Sequence, residues 1–333
     1  MSTLKKILID KDNSCKSVWF MRQAGRYLPE FQKIRSKNKD FVKLCLNSDL
    51  SAEITLQPIK RFNLDSAIIF SDILMVPYAL GQDVKFIKGG GPQLGKFNQD
   101  KFFNVSEKEF SLKLNPVYKA IEITRKSLDR KKSLIAFIGA PWTLLIYMLN
   151  IKKDKNEINL TDVNVNMNVV LDRLVNFLCI HIHNQIEAGA DVVQIFDSWA
   201  SLIPEDNIND YCYNPNAKIV KFCKKKKIPN ICFPKGIKEK LKEFNQIVKS
   251  DGINLDYEIE PDWVKKNLKD VVIQGGPSPK ILLQPEKEMF ISATKYIQTF
   301  IDIPYIFNLG HGLLPETDPD RVKKLIEFYR NFK

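Results

Sequence analysis

Residues 162–198, DVNVNMNVVLDRLVNFLCIHIHNQIEAGADVVQIFDS, join a long helical pattern directly to a short, mostly apolar run. In the first part, apolar residues recur every three or four positions and form one stripe: Met167, Val170, Leu171, Leu174, Leu178, Ile182 and Ile186. Thr161 or Asp162 can cap the start of this helix, and Gly189 stands where a helix C-terminal glycine is expected. The run Asp191–Ser198 is typical of a parallel strand that is covered on both faces.

The same pairing of an apolar run with helical material occurs eight times along the chain. The eight runs are Val18–Met21, Ser66–Ser71, Leu134–Gly139, Asp191–Ser198, Ile228–Phe233, Gly252–Tyr257, Asp270–Gln274 and Tyr305–Leu309. This alternation predicts the α/β class and a (β/α)8 TIM barrel, formed by a single domain over residues 1–333. A doubly wound open sheet is the alternative. The longest gap, between the second and third runs, predicts a small β-rich excursion that contains Lys88–Pro92.

The composition indicates a soluble, cytoplasmic globular protein. Hydrophobic residues make up 44% of the chain, and no stretch reaches the roughly 18 apolar residues of a membrane span. The first residues carry no apolar segment with a cleavage site, so we expect no secretory signal. None of the six cysteines forms a Cys-x-x-Cys pair, which favours free thiols over a disulfide framework or a metal site.

The net charge of +12 raises the question of a nucleic-acid partner. The densest basic run, Lys224–Lys227, lies between a helical stretch and a strand, which is typical of a helix C-terminus. No aromatic residues interleave with this run to stack on bases. We therefore interpret the positive charge as a solvated surface and expect neither a nucleic-acid nor a membrane partner.

In a barrel of this kind the chemistry lies in the loops that follow the strands. After the first run, Arg22 and Arg26 flank Ala24–Gly25, and guanidinium groups bind carboxylates in a bidentate manner. On composition alone, these would be two surface arginines in a loop. At the end of the second run, Asp72 is a lone acid among apolar residues, and an acid so placed is seldom structural unless it is paired.

Three more strand ends carry polar candidates. Tyr147 follows shortly after the third run, and its alternative role is that of a core aromatic residue. Ser198 ends the fourth run. We reject Ser198 as a nucleophile because the chain has no Gly-x-Ser-x-Gly elbow and no histidine is placed to serve it. His311 stands between two glycines after the last run, where a core role is not expected. The other two histidines, His181 and His183, face different sides of the long helix and make a poor metal pair.

Four motifs, in this order along the chain, resemble the uroporphyrinogen decarboxylase family. They are WFMRQAGRYLPEF at 19–31, GAPWTL at 139–144, QIFDSWA at 194–200 and FNLGHGLLPET at 307–317. The resemblance implies a homodimeric (β/α)8 barrel that needs neither a metal nor an organic cofactor. It implies a carboxy-lyase that acts on a tetrapyrrole, removing CO2 from the acetate groups of uroporphyrinogen III to give coproporphyrinogen III in heme biosynthesis.

The resemblance also assigns residues. Asp72 and Arg22 would be catalytic, with the Asp72 carboxylate offsetting a cationic ring intermediate and Arg22 relaying a proton. The substrate contacts it implies are Arg22, Gln23, Ala24, Gly25, Arg26, Asp72, Tyr147, Ser198 and His311. One stretch departs from the family: Gln274–Pro279 reads QGGPSP, where the family usually has QGNLDP, so we assign no catalytic role there.

Two rival functions remain open at this level. A corrinoid-linked or zinc-dependent methyltransferase shares the barrel but needs Cys and His ligands, whose spacing is absent here, and it would leave Arg22, Arg26 and Asp72 unused. A basic nucleic-acid-binding module would show steeply salt-dependent binding.

Overall fold

In the computed structural model, the described part of the chain comprises residues 1–87, 91–151, 153–154, 157–158, 160 and 165–332. Eight parallel strands of one sheet account for the eight runs predicted from the sequence. They are β1 (Ser17–Val18), β2 (Ser66–Ile68), β5 (Ser133–Gly139), β8 (Val192–Asp197), β9 (Asn230–Pro234), β10 (Gly252–Leu255), β11 (Val272–Gly275) and β12 (Tyr305–Phe307). Two antiparallel hairpins add β3 (Val84–Ile87) with β4 (Gly91–Leu94), and β6 (Lys153–Asp154) with β7 (Glu157–Ile158).

Helices precede, connect and follow the strands of the barrel. They are α1 (Thr3–Asp10), α2 (Pro29–Lys37), α3 (Phe41–Cys45), α4 (Ser48–Phe62), α5 (Met75–Ala79), α6 (Gln99–Asn104), α7 (Glu107–Ser127), α8 (Pro141–Met148), α9 (Met167–Glu187), α10 (Asn214–Lys225), α11 (Leu241–Val248), α12 (Pro261–Asn267), α13 (Glu286–Thr299) and α14 (Pro319–Asn331). Short 3-10 turns cover 200–202, 205–207, 238–240 and 279–283, and one π turn covers 209–213.

The strand order is β1-β12-β11-β10-β9-β8-β5-β2, with every pairing parallel. A doubly wound sheet would reverse direction part-way along this order, whereas here the order follows the chain around a ring. The predicted (β/α)8 barrel is therefore confirmed, and the open-sheet alternative is wrong.

The two ends of the sheet meet through Asp65, the residue before β2. Its backbone N–H donates to Val18 O at 3.2 Å, and its carboxylate Oδ2 accepts the N–H of Val18 at 2.9 Å. The other carboxylate oxygen lies 3.4 Å from the guanidinium of Arg330 in α14. One side chain thus closes the barrel and ties the last helix to the closure.

The barrel interior is filled by strand side chains of one parity together with α1. Alternate strand positions form an inner cluster: Trp19, Met21, Ile68, Ile135, Val192, Ile231, Phe233, Val272 and Ile306. Leu4, Ile7 and Leu8 of α1 pack into the same cluster. Because successive strand residues point to opposite sides, the intervening positions pack against the surrounding helices. The interior is therefore a packed core, and the site has to lie above it.

A buried polar layer crosses the barrel within this apolar interior. The Gln274 side-chain amide donates to Gln194 Oε1 at 3.0 Å and to Asn254 Oδ1 at 2.8 Å, and its oxygen accepts the indole N–H of Trp19 at 2.9 Å. All four side chains are buried. These hydrogen bonds join four strands. Because the layer is buried, water cannot replace a bond that is lost.

Details of the predicted boundaries differ from the structure. The long helix begins at Met167, because the Asn166 side chain accepts the N–H of Val169 at 3.3 Å and caps it there. The predicted caps Thr161 and Asp162 lie outside the described residues, as do residues 88–90 of the predicted excursion, whose flanks form the β3–β4 hairpin.

Lys224–Lys227 are exposed at the end of α10, as predicted. Among the described residues, no helix is long and apolar enough to cross a membrane.

Replacing Gln274 by Met tests the polar layer. We expect Q274M to lower the free energy of unfolding by roughly 2–4 kcal/mol, because Trp19, Gln194 and Asn254 each lose a buried partner. The measurement is urea unfolding followed by both fluorescence and circular dichroism. The exposed Gln246 of α11 provides the control, since Q246M should change stability by no more than about 0.5 kcal/mol. Equal stability of Q274M and Q246M would contradict the assigned role.

Candidate active site

The loop after β1 is held rigidly against the neighbouring strands. Gln23 is fully buried; its side-chain oxygen accepts the N–H of Phe20 at 3.0 Å, and its amide donates to Ser66 O at 2.9 Å. Its backbone carbonyl accepts the hydroxyl of Tyr27 at 2.9 Å. Both polar groups of the Gln23 side chain are therefore bonded within the protein. Gln23 positions the loop.

Arg22 adopts a left-handed backbone conformation with φ of 61°, which is uncommon for a residue with a long side chain. Its side chain crosses Gly312 so closely that a Cβ on that glycine would displace the Arg22 side chain. The loops after the first and last strands are thus in close contact. Strained backbone of this kind is characteristic of functional loops.

Arg22 is open to solvent but surrounded by protein groups in the concave barrel mouth. Desolvation by these groups lowers the pKa of its guanidinium, and the positive charge of the exposed Arg26 lowers it further. Asp72 and Tyr147 act in the opposite direction and raise the pKa of Arg22. Both predicted arginines and both predicted partners therefore share one electrostatic environment.

Asp72 lies four residues beyond the end of β2, in a turn that leads into α5. Its Oδ1 accepts the N–H of Leu74 at 2.9 Å. Within the described part of the chain, Oδ2 has no hydrogen-bond donor. Burial raises the pKa of Asp72 to about 6, although the Leu74 N–H and the charge of Arg22 act against this rise. Half of the carboxylate thus stabilises the turn, and the other half faces the mouth.

His311 is half-buried between Gly310 and Gly312, in the loop after β12. Its Nδ1 accepts the N–H of Gly312 at 2.7 Å, so in the neutral ring the proton is on Nε2. Burial lowers the pKa of His311 to about 4, and the charges of Arg22 and Lys235 contribute in the same direction. At neutral pH the side chain is an uncharged donor through Nε2–H.

Tyr147 and Ser198 lie on neighbouring elements, α8 and the end of β8. Burial raises the pKa of Tyr147, so its phenol stays protonated; the hydroxyl is hydrogen-bonded to Trp199, whose ring packs edge-on at 6.1 Å. Ser198 is half-buried between Asp197 and Trp199. The two predicted residues are thus joined through Trp199.

A second layer of hydrogen bonds fixes the elements that carry Tyr147 and Ser198. Thr143 donates its hydroxyl to Asp197 Oδ1 at 2.7 Å and accepts the N–H of Trp199 at 3.2 Å. Burial raises the pKa of Asp197 to about 6, opposed by its bonds with Thr143, Asn216 and Cys212. Asp197 points away from the barrel interior and is a scaffold residue.

Asn308 is a positioning residue that the sequence did not single out. Its side-chain oxygen accepts the N–H of Met21 at 3.2 Å and of Leu309 at 2.7 Å, and Leu313 donates to Met21 O at 2.9 Å. These bonds hold the Arg22 loop against the His311 loop. The sequence signal that could have identified Asn308 is a polar residue at an inward-facing position of the last strand.

The stretch Gln274–Pro279, whose sequence departs from that of the family, forms a tight turn at the rim. Gly276 has φ of 111°, and a Cβ there would lie 2.5 Å from the ring of Tyr296. Pro277 O accepts the N–H of Gly310 at 2.7 Å, which connects this turn to the His311 loop. Because the Tyr296 ring fills the space beside Gly276, the asparagine that the family usually has would not fit at this position.

The remaining histidines and the cysteines form no metal centre in the described part of the chain. His181 is buried and bonded to the Tyr118 hydroxyl at 3.0 Å, and burial lowers its pKa to about 3; His183 is on the exposed side of the same helix. Burial raises the pKa of the Cys212 and Cys232 thiols, which disfavours the thiolate that a metal needs.

Comparison with known proteins identifies the family of the chain. The family model described as uroporphyrinogen decarboxylase (URO-D) matches residues 2–332. The chain belongs to the uroporphyrinogen decarboxylase family. The uroporphyrinogen decarboxylase of Orientia tsutsugamushi (strain Boryong) is 38% identical, covering 100% of this chain and 99% of that protein. Those of Rickettsia felis and Rickettsia bellii are each 39% identical, covering 97% and 95% of this chain and 95% of either relative.

Solved structures share the fold at low identity. A methyltransferase from Methanosarcina mazei matches with a TM-score of 0.72 and 16% identity, covering 99% of this chain and 98% of that chain. A B12-independent methionine synthase from Shewanella sp. W3-18-1 matches with a TM-score of 0.54 and 12% identity, covering 85% and 86%. At this identity, the likeness shows the barrel architecture alone.

The charge coupling between Arg22 and Asp72 can be measured directly. We expect the Asp72 carboxyl to titrate near pH 6, and Arg22→Met to raise its pKa by roughly one unit because the opposing charge is lost. The measurement is a carbon-13 NMR titration, with the Asp72 signal identified by its absence in D72N. Arg61→Met is the control, since Arg61 pairs with Glu30 at 2.8 Å and has no coupling to Asp72. An unchanged Asp72 midpoint in R22M would refute the coupling.

Proposed function

We propose that this chain is a uroporphyrinogen decarboxylase that converts uroporphyrinogen III to coproporphyrinogen III. The observation that carries the proposal is the placement of Arg22 and Asp72 in one barrel mouth, in a chain of this family. A cation beside an anion that keeps one oxygen open suits a substrate that has carboxylates on its rim and N–H groups at its centre. The same arrangement has no use in the methyltransferase or nucleic-acid alternatives.

The proposed reaction exchanges CO2 for a proton on each acetate group. The substrate is a flexible macrocycle in which every pyrrole ring carries one acetate and one propionate. Protonation of the ring carbon next to the acetate-bearing one gives a ring cation. The cation accepts the electron pair released when the C–CO2 bond breaks, and a second protonation with loss of the first proton leaves a methyl group. The ring itself is the electron sink, so the step needs no cofactor.

Asp72 is proposed to stabilise the ring cation. Its open oxygen Oδ2 would accept pyrrole N–H groups, which supply the donors that this oxygen lacks among the described residues. A fixed anion at the site of developing positive charge is the preorganised electrostatics that enzymes use. The raised pKa of Asp72 shows that burial disfavours its ionised form, and pyrrole N–H donors would favour that form.

Arg22 is proposed to bind the reacting acetate and to relay a proton. Its guanidinium matches a carboxylate in shape and charge, and its lowered pKa is the direction that a proton donor needs. Arg26, open to solvent at the same loop, would bind a second carboxylate. The backbones of Ala24 and Gly25 lie between the two arginines and would approach the substrate closely.

The other predicted contacts are proposed as neutral hydrogen-bond donors. Tyr147 stays protonated because burial raises its pKa, and His311 presents Nε2–H because its pKa lies near 4. Ser198 would donate its hydroxyl from the end of β8. Neutral donors orient carboxylates without adding charge that would compete with Asp72 for the ring. Gln23 contributes indirectly by holding the Arg22 loop.

Assembly and location complete the proposal. We propose a homodimer in the cytoplasm, supported by the family resemblance and by the bacterial relatives. Analytical ultracentrifugation of the purified protein tests the oligomeric state.

Activity without a metal is the first functional test. We expect protein treated exhaustively with a chelator to convert uroporphyrinogen to coproporphyrinogen anaerobically at its original rate, because the ring supplies the electron sink. The products are separated by chromatography after oxidation to porphyrins. Loss of activity after chelation, with recovery on adding zinc, would contradict the proposal.

Replacing Asp72 by Asn tests the anion. We expect D72N to reduce kcat by a hundredfold or more, since loss of such an electrostatic group costs on the order of 3 kcal/mol in the transition state. The thermal midpoint should stay level or rise slightly, because a costly carboxylate is gone. In the wild type, kcat/KM should fall as pH drops through about 6, where Asp72 becomes protonated.

Asp251 provides a matched control for D72N. It precedes β10 at the opposite end of the barrel, and burial raises its pKa as well. D251N removes a carboxylate of the same kind without touching the mouth, so kcat should be unchanged. A near-normal kcat for D72N, or equal losses in both variants, would remove the proposed role of the Asp72 charge.

A further inference from the structure

The alternation of side chains along β9 directs the Lys235 side chain into the barrel mouth. In β9, Ile231 and Phe233 belong to the inner cluster, while Cys232 packs outside it. The N–H of Lys235 donates to Asp197 O at 3.1 Å, which extends the β8–β9 ladder by one residue beyond Pro234. Since side chains alternate along a strand, Lys235 points inward, directly above Phe233.

The backbone around Lys235 is fixed on three sides. Its carbonyl accepts the N–H of Ser201 at 3.1 Å. Gly236 has φ of 77°, and a Cβ there would lie 2.7 Å from Ser201 Cβ, so only glycine fits. The N–H of Gly236 donates to Asp256 Oδ2 at 2.6 Å, while Asp256 Oδ1 accepts the N–H of Glu258 at 2.8 Å. The lysine is thus presented from a rigid frame.

Lys235 is half-buried as a residue, and its ammonium forms no ion pair with any residue that the structure describes. Nearby lysines of the same segment behave differently: Lys240 pairs with Glu205 at 2.9 Å, and Lys238 is exposed to water. Both oxygens of Asp256 already accept backbone N–H groups. Lys235 also acts on His311 across the mouth, where its charge helps to lower the pKa of the imidazole. The Lys235 ammonium is thus a cation in the mouth without a protein anion among the described residues.

We propose that Lys235 binds one peripheral carboxylate of the substrate, on the side of the mouth opposite Asp72 and together with the Nε2–H of His311. This inference rests on the proposed function and adds a third cation to Arg22 and Arg26. A carboxylate between an ammonium and a neutral imidazole donor receives charge and direction from two strands, β9 and β12. Lys235 contacts the bound substrate and the transition state equally. It therefore contributes to substrate binding and has little effect on the chemical step.

The kinetic test compares Lys235→Met with wild type on uroporphyrinogen, with two further variants. We expect K235M to raise KM by about 10- to 100-fold, the effect of one charge-assisted hydrogen bond, with kcat within about threefold of wild type. K235R should recover most of the affinity because it keeps the charge. K238M, from the exposed lysine three residues on, should match the wild type. Thermal midpoints of all four proteins report on folding.

A second measurement needs no substrate. The chain has three histidines, so the ring signals of His181, His183 and His311 can be assigned by NMR. Removing the Lys235 charge should raise the pKa of His311 in K235M, while the other two histidines and the K238M variant should not change.

The outcomes separate the two proposals. An inactive wild-type protein overturns the proposed function, whereas an active wild type with unchanged KM in K235M overturns the role of Lys235. A loss confined to kcat, or to the thermal midpoint, also overturns it, because a binding contact has to appear in KM. An unchanged His311 pKa in K235M would contradict the placement of Lys235 in the mouth. A raised KM with a raised His311 pKa supports the inference.

Discussion

The hydrogen bonds between Asp65 and Val18 determine the geometry of the whole site. They join the first and last strands of the ring order, and the same carboxylate holds Arg330 of the final helix. Arg22 follows this closure by four residues on one strand, and Asp72 follows it by seven residues on the other. The two charges meet across the closure because the strands run parallel and end at the same mouth. Without it, the loops that carry Arg22 and Asp72 would lose this direct connection.

The charges of Arg22 and Asp72 and the burial around them act on each other. Burial raises the pKa of Asp72 and lowers that of Arg22, and each residue partly opposes the shift of the other. A bound carboxylate would draw on the same guanidinium and weaken its support of Asp72. The ring N–H groups would restore that support from the other side. The pocket is therefore complementary to a molecule with anions outside and N–H donors inside, and an anion alone would suit it less well.

Much of this organisation could be predicted from the sequence because strands and helices have different periods. The eight apolar runs predicted the eight strands, and the strand-end positions of Arg22, Asp72 and His311 pointed to one mouth. Hydrogen bonds between distant residues were beyond such reasoning. The bonds of the Gln23 side chain to Phe20 and Ser66, which hold the Arg22 loop, are one example. Nothing local in the sequence distinguishes such a role from a substrate contact, since both need an amide in a loop.

Helix caps and glycines show the same limit. Asn166 caps the long helix, although threonine and aspartate, the residue types at 161 and 162, are also good caps. At Gly312 a side chain would displace the crossing Arg22, and at Gly276 Tyr296 fills the side-chain space. In each case, the constraint on a glycine comes from a side chain far away in the sequence. The mouth is thus built from loops that leave room for one another, and this fit holds Arg22 in its strained conformation facing Asp72.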